Sequence, residues 1–310
     1  MKKNPLVLLL AISGVFFSIF LLFVFFTMGN IVKDRALLAR GGVNIGVVKV
    51  RDVIMDSQRT LKELKEFEED TSIKAVLVRV DSPGGAVGPS QEIHDAILRV
   101  KKTKPVVASF ESVAASGGYY IAVACDRIVS NAGTLTGSIG VIMNMANLSE
   151  LYKWAKVERY NIKSGKFKDV GSENRPMTPE ERDLMQNLVN NVYEQFLKAV
   201  ADGRKLPVDK VRPYADGRVL SGQQAQEVGL VDKLGGVDVA LDTVKELAKL
   251  DKKQKVNLVY PEPKRRSLLD MLGKGGADSL ADVMLGRLGL DGVAGSSALK
   301  PSAQVGLYFL

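Results

Sequence analysis

Residues 4–32 carry no charged side chain, and six of the eleven Phe in the chain (Phe16, Phe17, Phe20, Phe23, Phe25 and Phe26) fall in that stretch. A core helix is rarely apolar on every face over such a length. As a helix, residues 5–28 would rise about 36 Å, enough to cross a hydrocarbon layer of about 30 Å. Lys2 and Lys3 precede the run as in a secretory signal. The apolar run exceeds a usual signal core of about 7–15 residues, however, and no A-x-A-like site follows it. Residues 1–30 are therefore expected to be an uncleaved membrane anchor, with residues 31–43 as a connector. Lys2, Lys3 and the α-amino group on one side balance Lys33, Arg35 and Arg40 on the other, so charge alone sets no orientation. The short tail before the span is that of a signal anchor with its large domain exported.

The chain has 310 residues, ample for a sizeable core, with one Cys and one His. Cys125 alone excludes an intramolecular disulfide, and with His94 it excludes ordinary Cys/His zinc sites. Any Ser-His-Asp triad must use His94. The net charge is +8, yet no Lys/Arg cluster is interleaved with aromatic residues as on a nucleic-acid surface, so no nucleic-acid partner is expected.

Beyond the connector, short apolar runs alternate with amphipathic helices. Residues 44–50, 74–80, 105–109 and 127–130 have the β-branched or continuous apolar texture of buried strands. Leu61, Leu64 and Phe67 recur at helical spacing, as do Ile93, Ile97 and Val100. Residues 116–124 form a small-residue helical stretch. Thr178-Pro179-Glu180-Glu181 combines a capping box with Pro at the first helical position, and opens a helix with Leu184, Leu188, Val192, Phe196 and Val200 on one face. Ser221 caps a short helix ending near Gly229, and residues 237–250 form another. Such alternation predicts an α/β fold over residues 44–260. Residues 261–310 are Gly-rich and are expected to be a mobile tail.

Three loops hold residues suited to chemistry. Ser82-Pro83-Gly84-Gly85 follows a buried strand, and its glycines let backbone amides face a site with no Cβ in the way. Pro-Gly-Gly is equally a plain turn. Ser116-Gly117-Gly118 opens an apolar helix, where a serine could act as nucleophile with the Gly117 amide joining the Gly84 donor. The bland alternative makes Ser116 only a helix cap. A nucleophilic serine needs a base. His94 lies mid-helix, usually a packing position. Lys163, Lys166 and Lys168 in the third loop could replace it where burial disfavours the ammonium. Spacing does not choose among them.

In order, SPGG (residues 82–85), SVAASGGYY (112–120), TGSIGV (136–141) and KSGKFKD (163–169) strongly resemble the signal peptide peptidase A family of membrane-anchored serine peptidases. ADGRV (215–219) extends the match, which runs over residues 44–250. The resemblance implies a crotonase-like α/β fold of repeated β-α units, shared with the Clp protease subunit, carrying a Ser-Lys dyad. It makes Ser116 the nucleophile and Lys168 the general base, with Gly84 and Gly117 as oxyanion donors and Ser138 orienting the lysine. It implies no metal or organic cofactor. It also implies the short, single-domain form that assembles as a homo-oligomer at a bacterial inner membrane, with the catalytic domain extracytoplasmic. Peptide substrates, remnant signal peptides above all, follow from it. Asp169, beside the lysine, is then expected to face away from it. A crotonase-type acyl-thioester enzyme and a non-catalytic membrane scaffold are the alternatives on the same fold.

Overall fold

A computed structural model describes residues 14–24, 42–261 and 307–309. The anchor and connector expected over residues 1–43 thus lie largely outside the described residues. Residues 14–24 are helical with mostly exposed side chains, and among the described residues no helix is long and apolar enough to cross a membrane. Residues 262–306 and 310 of the expected tail also lie outside them.

The body begins with β1 (Val43–Arg51), α1 (Gln58–Glu69), β2 (Ile73–Ser82), a two-residue strand β3 (Gly85–Ala86) and α2 (Val87–Val100). Next come β4 (Val106–Ala115), α3 (Gly117–Ala122), β5 (Arg127–Ser130), β6 (Leu135–Gly137), β7 (Ile142–Met143) and α4 (Ser149–Trp154). The long helix α5 (Pro179–Arg204) leads through α6 (Val208–Val211) and a 3-10 turn (Arg212–Tyr214) into β8 (Val219–Ser221). The described chain continues with α7 (Gly222–Glu227), β9 (Lys233–Leu234), α8 (Val237–Leu247) and β10 (Val256–Val259), and β11 (Leu307–Phe309) returns to the body.

One sheet runs β10-β1-β2-β4-β5-β9 with every pairing along that path parallel. Parallel strands need crossovers, and α1, α2 and α3 supply them. The sheet is buried on both faces, which is why its strands are continuous apolar runs. Val76, Val78 and Val80 of β2 face a large cluster with Ile93, Ile97, Phe196 and Val200. Ala75 and Leu77 face the other way, with Val107, Val129 and the α8 residues Ala240 and Val244.

β4 changes partner along its length. Val107–Ser109 pair with β5, whereas residues 113–115 pair with β6, and the β2–β4 register slips between Val80 and Ser82. This slip carries the strand further than its apolar run, delivering its end to the Ser82–Gly85 loop. The capping box at α5 forms as the sequence requires, Thr178 Oγ1 accepting from the Glu181 amide at 3.2 Å and Glu181 from the Thr178 amide at 2.9 Å. Only the later part of its apolar stripe is covered: Val192, Phe196 and Val200 are buried, while Leu184 and Leu188 are exposed. A second, three-stranded antiparallel sheet runs β3-β11-β7.

Candidate active site

Ser116 stands between β4 and α3 with φ 50° and ψ −117°. A non-glycine residue so placed stores about 1–3 kcal/mol of backbone strain, which persists only where surrounding structure holds it. Two backbone hydrogen bonds do so. The Ser116 amide donates to the Gly137 carbonyl at 2.8 Å, and its carbonyl accepts from the Tyr120 amide at 2.8 Å. Its side chain makes no capping bond, which removes the plain helix-cap reading. Oγ is buried and has no hydrogen-bond partner among the described residues. Leaving such a hydroxyl unpaired costs about 1–3 kcal/mol, so fold stability gives no reason for a serine here. The helix behind it spans only six residues, so local amides matter more at this spot than a macrodipole.

Gly84 and Gly117 meet Ser116 directly. Gly84 adopts φ +113°, and a Cβ there would lie 2.2 Å from the Phe309 carbonyl oxygen, 2.7 Å from the Gly117 amide nitrogen and 3.0 Å from Ser116 Cβ. At Gly117 a Cβ would lie 2.7 Å from Ser90 Oγ and 3.2 Å from Gly84 Cα. Both positions exclude a side chain by close approach. The loop is shaped by Ser82, whose hydroxyl donates to the Asp52 carbonyl at 2.6 Å and accepts from the Gly84 amide at 3.2 Å. Gly84→Ala is expected to lower turnover at least about 100-fold, the scale of losing one oxyanion donor, because its methyl would enter the space at Ser116. Peptide hydrolysis within a few-fold of the parent would refute this.

Ser138 follows the carbonyl that holds Ser116, takes φ 47°, and donates its amide to the Arg218 carbonyl at 2.8 Å. It lines an open cleft with Gly140, Ile142, Asn190 and Tyr193. Lys168 lies apart, exposed in another open cleft formed with Tyr160, Ile162, Lys163, Asp169 and Ser172. Since Ser116 Oγ has no partner among the described residues, neither Lys168 nor His94 bonds it within one chain. His94 is instead buried on α2, its Nδ1 3.1 Å from Asp95 Oδ1 and its ring 4.9 Å from that of Tyr120. Burial lowers its pKa.

The Lys168 loop is braced beside that lysine. Arg175 contacts Asp169 at 2.9 Å and Glu181 at 2.6 Å, and Lys163 also holds Asp169. Asp169 is therefore committed to these two partners. Hydrogen bonds from Arg175, and next from Lys163, keep the Asp169 carboxyl well below the usual carboxylate range; Arg175 brings Glu181 down to about 2. With depressed pKa values, this bracing is complete above the unfolded values of about 4 and is lost as pH falls toward the folded ones. Amide exchange in residues 163–181 is expected to speed up selectively between about pH 4 and pH 2. Uniform exchange across the domain through that interval would contradict it.

An aromatic cluster at the site has no counterpart in the sequence reading. The Tyr120 ring lies 5.0 Å from those of both Phe196 and Phe309, and Phe196 lies 4.7 Å from Phe309. Tyr120 and Phe196 were readable only as core positions. The apolar run at residues 307–309, ending a Gly-rich stretch, was the available signal for the third.

The model of Peptidase family S49 matches residues 99–251. A candidate protease of Synechocystis sp. is 43% identical over 79% of this chain and 88% of its own length. A candidate signal peptide peptidase SppA of Enterococcus faecium is 37% identical, covering 73% of this chain and 70% of its own. The chloroplastic serine protease SPPA of Arabidopsis thaliana is 36% identical over 77% of this chain, which spans 36% of that longer protein. With Ser116 strained, unpaired and set against two glycines, the matched region contains the whole β4–α3 junction. The chain belongs to peptidase family S49, the signal peptide peptidase A family, and is a serine peptidase.

Proposed function

We propose that this chain is a membrane-anchored endopeptidase that cuts extended, unfolded peptides, cleaved signal peptides among them, with Ser116 as nucleophile and Lys168 of an adjacent copy as general base. The observation that carries this reading is the Ser116 hydroxyl itself, which is buried, unpaired and held on strained backbone against Gly84 and Gly117. Ser116 Oγ attacks the scissile carbonyl carbon while neutral Lys168 takes the hydroxyl proton. The Gly117 amide donates to the oxyanion, joined by the Gly84 amide once that amide turns from Ser82 Oγ, its partner in the structure. The lysine then returns the proton to the leaving amine, and water, deprotonated in the same way, hydrolyses the acyl-enzyme.

Assembly in trans is supported by the absence, among the described residues, of a bond from Ser116 Oγ to Lys168 and by the surface beside Lys168. Ile162, 95% exposed, and Tyr160 line the cleft of Lys168, and Trp154, Leu184 and Leu188 are exposed elsewhere on the chain. A surface with so many large apolar residues is suited to cover by another protein. The cleft at Ser138 would admit the lysine, and cover by a second copy would dry the ammonium and favour its neutral form. The uncharged run at residues 4–32 supports the anchor. The test is labelling with a fluorophosphonate that acylates nucleophilic serines, followed by peptide mapping. Label is expected on Ser116 only and is expected to require Lys168. Label on other serines, or none with hydrolysis intact, would sink the reading.

A further inference from the structure

The chain enters the sheet at one edge, and the serine stands at the other. Every strand on the path from β10 to β9 points the same way, so the first residues of these strands share an edge. Gly42 lies there: a Cβ on it would come 2.9 Å from the Lys255 carbonyl oxygen, and the Val43 amide donates to that same oxygen at 2.9 Å. Ser82, close to Gly84 and Ser116, ends β2 at the opposite edge, about 30 Å along the strand from Ile73.

The turn between α8 and β10 lies at the entry edge, and it is basic. Lys249, Lys252, Lys253 and Lys255 are exposed there and form no ion pair among the described residues. Asp251, the single acid within the turn, accepts the Lys253 amide on its carboxylate at 2.7 Å. Lys245 of α8 donates to the Lys252 carbonyl at 2.9 Å, which fixes the turn against the helix. Charges at the other end of the sheet are matched instead, Arg51 and Arg79 both reaching Glu111. Grouped like charges repel, so the fold draws no stability from these four lysines. Residues 29–41 join the apolar run to Gly42, and a flexible chain of that length spans about 20 Å. An anchor ending at Met28 therefore holds the lysine edge, and not the serine edge, next to the headgroups.

We propose that Lys249, Lys252, Lys253 and Lys255 are a docking surface for an anionic bilayer, taking the phosphates of lipid headgroups and standing the sheet with its serine edge away from the membrane. This inference rests on reading residues 1–30 as a membrane anchor, since that brings the lysines to the bilayer. Lysines beside a span are drawn to anionic headgroups over about one Debye length, and the attraction falls with salt. Docked in this way, the site meets its substrate as an extended peptide in water and not within the hydrocarbon.

The test reconstitutes the full chain with vesicles of neutral phosphatidylcholine, or of phosphatidylcholine with anionic phosphatidylglycerol. Brief acylation of amines, mapped by mass spectrometry, reads each lysine. Phosphatidylglycerol is expected to slow labelling of Lys252 and Lys253 at least about fivefold relative to Lys49, an exposed lysine further along β1. High salt is expected to restore the rate. Lys252→Gln with Lys253→Gln, both at exposed positions, is expected to return Lys249 and Lys255 to the labelling rate seen on neutral vesicles. Equal labelling on both kinds of vesicle, or equal slowing at Lys49, would overturn the proposal. Flotation of the same samples keeps the two readings apart. A chain that floats with both kinds yet labels equally overturns the lysine surface alone. Flotation with anionic vesicles only overturns the anchor and leaves the surface standing, and flotation with neither overturns both.

Discussion

Replacing Ser116 with Ala is expected to abolish peptide hydrolysis while leaving the domain at least as stable as before. Removing a nucleophile from a unit that acts jointly costs on the order of 10⁴- to 10⁶-fold in turnover. Structurally the hydroxyl does nothing for the fold, since Oγ is buried and has no partner among the described residues. Deleting an unpaired buried hydroxyl removes a penalty of about 1–3 kcal/mol and leaves no other group unsatisfied. The backbone strain at φ 50° is the same in Ser and Ala and cancels, so stability is expected to rise, by up to the penalty of about 1–3 kcal/mol that is removed. Ser116→Gly releases that strain as well and is expected to be the most stable of the three, by about 1 kcal/mol over Ala. Turnover of a short peptide and the urea midpoint decide this together. Residual turnover within tenfold of the parent, or a clear fall in the midpoint, would mean that Ser116 serves the fold and not the chemistry.

The same physics explains what sequence could and could not disclose. Strand β5 falls on residues 127–130 as read, the capping box at Thr178 forms, and Ser221 caps its short helix, there too through a capping box. At the two caps the determining interactions lie within a few residues of one another, and β5 shows itself by its short apolar run. Strand β4 was different. Its apolar run ends near Ser109, yet it continues to Ala115 because β6 replaces β5 as its partner. A change of partner is a long-range event with no local signature. The stripe on α5 shows the opposite limit: periodicity finds Leu184 and Leu188 but not which turns the chain itself will cover.

At the site, the glycines were legible because close approach leaves no substitute for them. A Cβ at Gly84 or Gly117 would collide with the very atoms that surround Ser116. The lysine was not legible from spacing, because three lysines share an exposed loop whose position depends on ion pairs such as Arg175 with Asp169 and Glu181. Only the family resemblance singled out Lys168. Phe309 was missed for a related reason. Residues 307–309 look like the end of a Gly-rich tail, and their pairing with β3 and β7 joins positions more than 150 residues apart.

If the dyad forms between copies, two dead variants must rescue one another. Ser116→Ala keeps Lys168 and Lys168→Ala keeps Ser116, and each alone is expected to lose at least about 10⁴-fold in turnover. In a ring where every site joins the serine of one copy to the lysine of the next, random assembly from equal amounts makes about a quarter of the sites complete. Co-expressed at equal levels, the pair is therefore expected to recover about a quarter of the parent activity. A dyad within one chain predicts none, because no polypeptide in the mixture carries both groups. Pairing Ser116→Ala with a chain that bears both Ser116 and Lys168→Arg tests the chemistry further. That mixture gains nothing by way of a base either way, since the Ser116→Ala copies still donate Lys168 to their neighbours' serines and only they can. Its activity is expected to match the first mixture, because an arginine stays protonated and cannot take the hydroxyl proton. Lys168→Arg alone must then be as inactive as Lys168→Ala. If Lys168→Arg alone retains substantial activity, positive charge and not proton transfer is what position 168 supplies, and the base must be sought elsewhere.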